Sequence, residues 1–93
     1  MSQTKTKIMN SYIIKADGTQ VPYAPANGKA FTLKEMQTAV GGYIERVGTY
    51  QNKGIWANEE GLLRRLPVNE RASHLCYREI VGDVLVCPED YVR

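Results

Sequence analysis

Residues 31–42 read Phe-Thr-Leu-Lys-Glu-Met-Gln-Thr-Ala-Val-Gly-Gly, a helix with both ends specified. Thr32 and Glu35 have capping-box spacing: the threonine oxygen can accept from the Glu35 amide while the glutamate reaches back to the Thr32 amide. Phe31 and Met36 flank the cap at the positions of a hydrophobic staple. Leu33, Met36 and Val40 form one apolar face. Gly41-Gly42 closes the helix after about two turns, because glycine enters the left-handed conformation without a Cβ clash. A helix this short does not survive alone in water. It must dock on another layer, and the flanking segments say what that layer is.

Those segments read as strands and tight turns. Residues 8–15 are rich in strand formers and end at Asp17-Gly18, a tight-turn pair. Thr19 to Tyr23 can return as a short strand, and Pro22 makes it an edge, since proline cannot donate to a ladder. Residues 24–30 carry Pro25 and Asn27-Gly28 and read as a loop. Tyr43–Tyr50, a turn at Gln51–Gly54, Ile55–Asn58, a turn at Asn58–Gly61 and Leu62–Leu66 form an expected three-strand meander. After Pro67, Asn69 is positioned to cap a second helix through about residue 77, with Ala72, Leu75 and Cys76 facing inward. Val84–Cys87 is the last strand, stopped by Pro88. The expected fold is α+β: a small, mainly antiparallel sheet with two short helices packed on one face. Ninety-three residues suffice for a single domain, 1–93, with 1–6 and 89–93 expected as flexible tails.

A string of motifs in one order resembles an uncharacterised family of short phage, plasmid and mobile-element proteins. The pieces are TLKEMQTAVGGYIERV, ANEEG, LPVNERAS and VGDVLV, after a leading strand that ends in Asp17-Gly18. They cover roughly residues 11–87. Arg46, the polar tail of Tyr43–Tyr50 and the run Cys76-Tyr77-Arg78 depart from the family pattern. The resemblance implies a phage or mobile-element origin. It implies no catalytic activity, because the family is one of unknown function.

Composition narrows the chemistry. Net charge is +2, which indicates neither a strongly basic nucleic-acid binder nor an acidic tail. Residues 1–7 are polar and lack the apolar stretch of a signal peptide, so the cytoplasm of a host cell is the expected location. Cys76 and Cys87 are then expected to remain thiols, and two cysteines at this spacing make no metal site. His74 and Cys76 stand two positions apart on the expected helix and point away from each other. Glu59-Glu60 and Glu89-Asp90 are adjacent carboxylates in a turn and a tail, not a pair across a cleft. Gly41-Gly42 lacks the lysine and following helix of a phosphate loop. No catalytic residue, metal or cofactor is therefore assigned.

Binding is the better expectation. Arg64, Arg65, Arg71 and Arg78 fall within fifteen positions, with Arg71 and Arg78 two turns apart on one expected helix face. Guanidinium forks suit phosphate or carboxylate groups. Tyr50 and Trp56 flank a turn where one of them is expected to be exposed, and Tyr, Trp and Arg are enriched at binding hot spots. The expected role is a non-enzymatic accessory protein that inhibits or modulates a host defence or regulatory protein. Alternatives are a sponge for a small anionic nucleotide signal and, less favoured by the charge, a nucleic-acid-binding protein. An edge strand and several aromatics also suggest a homo-oligomer, joined through Thr19–Tyr23 or the Tyr43–Asn58 hairpin.

Overall fold

The computed structural model describes residues 11–92. In chain order these form β1 (Tyr12–Ile14), β2 (Gln20–Pro22), α1 (Leu33–Val40), β3 (Ile44–Tyr50), β4 (Lys53–Asn58), α2 (Glu70–Cys76) and β5 (Val84–Pro88), then a 3-10 turn at Glu89–Tyr91. The five strands make one sheet in the order β2-β1-β5-β4-β3, each neighbour antiparallel. The α+β class and antiparallel sheet are those expected from the sequence. Pro22 does lie in a marginal strand, and β3 forms the other margin. The start of the first expected strand, residues 8–10, and the tail 1–6 lie outside the described residues.

The helices divide between the two faces of the sheet instead of sharing one. Ala72 of α2 packs with Ile14, Ile55, Ala57, Val84 and Val86. Met36, Ala39 and Val40 of α1 pack on the opposite face with Trp56, Leu85 and Cys87. The cause lies in the central strands. Val84-Leu85-Val86-Cys87 is apolar without alternation, and each of these residues is 0% exposed. A strand buried on both faces needs a layer on each side.

α1 forms as its ends dictate. Thr32 Oγ1 accepts from the Glu35 amide at 3.1 Å, and Glu35 Oε1 accepts from the Thr32 amide at 2.8 Å. Glu35 Oε2 also accepts from the Ala26 amide at 2.9 Å, tying down the preceding loop. Gly41 closes the helix at φ +81°. The inward face is Met36, Ala39 and Val40, whereas Leu33 is 59% exposed. Phe31 is fully buried and stacks on Tyr23 with ring centres 5.3 Å apart. Its amide donates to Tyr91 O at 2.6 Å, and Val92 bridges to it. Residues 89–92, read from sequence as part of a charged tail, thus join the α1 side of the core.

The β3–β4 hairpin turns on two residues, Gln51 and Asn52, both at positive φ. This is the turn whose twist matches the strands it joins. β4 consequently starts at Lys53, earlier than expected. A bulge at Val47 shifts the register, so that Arg46 faces Trp56 and Gly48 faces Ile55. Gly54 provides the space for the Trp56 indole, since a Cβ there would stand 2.6 Å from Trp56 Cζ3.

Leu62–Leu66, expected as a strand, closes into a helical turn. The Arg64 amide donates to Glu60 O at 2.9 Å and the Leu66 amide to Gly61 O at 3.0 Å. Arg65 takes the left-handed position at φ +56°. This is the hydrogen-bond pattern of a helix end, with arginine where glycine is usual.

Buried Asn69 organises the start of α2. Its Oδ1 accepts from the Ala72 amide at 3.0 Å. Its Nδ2 donates to Ile14 O and to Gly82 O, each at 2.9 Å. One side chain therefore caps α2 and ties it to β1 and to the loop before β5.

Candidate functional site

The four arginines occupy different surroundings. Arg64 Nη1 donates to Gly41 O at 2.9 Å, satisfying a carbonyl at the α1 C-terminus. Arg65 stands in the adjoining helical turn. Arg71 lies in the first turn of α2 beside a shallow cavity that also holds Asp17 and Glu70. Arg78 is not on the α2 face expected from its spacing. The helix ends at Cys76, and Tyr77 turns left-handed at φ +57°, which carries Arg78 off the helix axis. Arg64 thus serves the end of α1, while Arg71 and Arg78 border cavities beside α2.

Trp56 is 6% exposed and belongs to the α1-side core, which removes it from any partner-facing surface. Tyr50 is half-buried and packs beneath α2. The most exposed aromatic among the described residues is one the sequence reading placed at the helix end, and Tyr43 is exposed as well. Tyr77 is 95% exposed. Leu62 and Leu63, read as strand residues, are 72% and 84% exposed. A tyrosine in the left-handed cap position was the available signal, but it required the helix to be known to stop at Cys76.

The two cysteines lie on opposite faces of the sheet. Cys87 belongs to the α1-side cluster, while Cys76 packs against the α2-side cluster. The sheet prevents them from meeting, and it equally separates Cys87 from His74 on α2. Burial pushes the Cys87 thiol up to about 12, helped by Glu89 and Asp90. Burial also raises Cys76, partly offset by Arg78. Neither thiol has the electropositive, exposed setting that makes a cysteine nucleophilic.

A cavity of about 180 Å³ opens between β3, the turn after β4 and the segment after α2. Its apolar wall includes Val47, Ala57, Ile80 and Val81, with Leu62 at one side. Glu45, Glu59, Glu79 and Arg78 bring charge to it. Arg78 also lines a shallow neighbouring cavity with Ser73, His74 and Tyr77. Among the described residues, no group of three His, Cys, Asp or Glu side chains is placed to hold a metal ion. None of the described helices is long and apolar enough to cross a membrane.

The family model described as "Domain of unknown function (DUF3846)" matches residues 9–91. The chain belongs to the DUF3846 family. No curated protein and no solved structure gives a significant match to it. Membership in DUF3846 covers nearly the whole described fold, including both helices, the sheet and the cavity beside β3. The family description carries no activity, so the chemistry of this DUF3846 domain rests on its own residues.

Proposed function

We propose that this protein acts by binding, without catalysis of its own, as a phage or mobile-element accessory protein that modulates a host protein. The motif string from Asp17-Gly18 to VGDVLV supports the origin. Tyr77 carries the binding reading. It is 95% exposed and holds φ +57°. A left-handed non-glycine residue costs about 1 kcal/mol or more, and a side chain this exposed recovers nothing by packing. Fold stability therefore favours glycine at this position. Presentation of a large amphipathic side chain to a partner accounts for tyrosine, a residue enriched at binding hot spots.

The geometry favours a protein partner over a nucleotide. The cavities holding Arg71 and Arg78 also hold carboxylates, which would repel phosphate. The test is Tyr77→Gly with capture from host lysate. The variant should unfold at the same temperature as the wild type or higher, yet lose the captured host protein. An unchanged captured protein in a folded variant would refute the role given to Tyr77.

A further inference from the structure

We propose that the cavity at the β3 margin receives a lysine or arginine side chain presented by the protein partner, a proposal that rests on the binding role above. At about 180 Å³ the cavity is smaller than the roughly 300–1,000 Å³ of small-molecule sites. It suits one side chain. Its lining has two characters. Val47, Ile80 and Val81 offer an apolar wall to the methylene stem of a long basic side chain. Glu45, Glu59 and Glu79 offer carboxylates to its charged head.

The charge of this rim runs against that of the molecule. The chain is +2 in total, yet three carboxylates and one arginine meet here. The ion pairs among the described residues, Lys15–Asp83 and Arg46–Glu89, use none of the three glutamates. They come from β3, the turn after β4 and the segment after α2, so tertiary folding assembles them. Their placement makes no metal site, and carboxylates spread around an apolar wall match an organic cation. A basic side chain on an overall basic protein needs such a local field to dock. Tyr77 lies at the same corner, since Arg78 borders both its cavity and this one. One partner surface can therefore cover the tyrosine and fill the cavity.

Arg78 gives the proposal a diagnostic sign. It is the cation of the rim and competes with an incoming one. Removing it should tighten the binding of a basic side chain and weaken the binding of an anion.

The probe is a five-residue peptide of threonine and valine with arginine at its centre, titrated into isotope-labelled protein and followed by amide shifts. Matched peptides carry norleucine or glutamate at the centre. The arginine peptide should shift the amides of Gly61, Leu62, Ile80 and Val81 saturably. The norleucine and glutamate peptides should bind about two- to fivefold more weakly, within the range of exposed ion pairs. Glu45→Gln/Glu79→Gln should abolish the preference, and Arg78→Gln should tighten the arginine peptide about twofold. Each variant is compared with wild type by thermal unfolding. Stronger binding of the glutamate peptide would overturn the proposal. So would equal binding of all three peptides, or no saturable shift below about 10 mM. Loss of host-protein capture by Tyr77→Gly, with any of those results, would leave the binding role standing and remove only the basic partner. Unchanged capture would remove the role given to Tyr77.

Discussion

Arg64 Nη1 and the carbonyl oxygen of Gly41 stand 2.9 Å apart, so an arginine from one turn closes the end of a helix twenty-three positions earlier. The arginine is exposed, yet this contact gives it a structural task. Its neighbour Arg65 has a different one, holding the left-handed position at φ +56°.

The two arginines should therefore respond oppositely to substitution. Arg64→Ala loses a charge-assisted bond to a helix C-terminus and should cost about 1 kcal/mol. Arg65→Gly relieves left-handed strain and should stabilise by about 0.5–1 kcal/mol, after glycine's entropy is counted. Denaturant unfolding measures both. Equal and negligible shifts would remove the capping role of Arg64.

Asn69 is 0% exposed, and both ends of its amide are used. Asn69→Ala should destabilise by about 2 kcal/mol or more, from the lost cap together with unsatisfied carbonyls of Ile14 and Gly82. Asn69→Asp keeps the cap acceptor but points a carboxylate at two carbonyls, so it should not rescue stability at neutral pH. A calorimetric melt of Asn69→Asp matching wild type would contradict this account.

Glu35 accepts bonds from the Thr32 and Ala26 amides, which hold its carboxyl below the ordinary value of 4.5. A carboxyl depressed in the folded state contributes stability above its unfolded pKa, and that contribution is lost as pH falls through the folded value. The wild type should therefore lose melting temperature below about pH 4.5 more steeply than Glu35→Gln does. Parallel pH profiles would show that the capping box contributes nothing through ionisation.

Cys87 is buried with its thiol raised to about 12, while Cys76 is half-buried. Iodoacetamide at pH 8 should modify Cys76 first and reach Cys87 upon unfolding. Peptide mass spectrometry of native and denatured samples reads the order. Fast native labelling of Cys87 would mean that the α1 side of the core opens readily.

Much of this fold was legible because its signals are local. The Thr32–Glu35 box, Gly41, the Asn69 cap and Pro22 each act within a few residues, and each appears where backbone chemistry demands it. Two features were not legible. The turn at Leu62–Leu66 depends on carbonyls three to five residues back, in a segment whose apolar composition mimics a strand. Division of the helices between faces follows from the unbroken apolar run Val84–Cys87, whose need for two covering layers appears only once β5 lies inside the sheet.

The candidate site shows the same division most sharply. Sequence supplied the arginines and aromatics as residue types. Tertiary structure decided which of them reach the surface: Trp56 fills the space above Gly54, Arg64 caps α1, and Tyr77 projects because α2 stops one residue earlier. Glu45, Glu59 and Glu79 lie too far apart in the chain for any spacing rule to join them. They meet because β3, the turn after β4 and the segment after α2 converge at one margin of the sheet. Local chemistry sets where elements begin and end, and long-range packing alone sets which side chains share a surface.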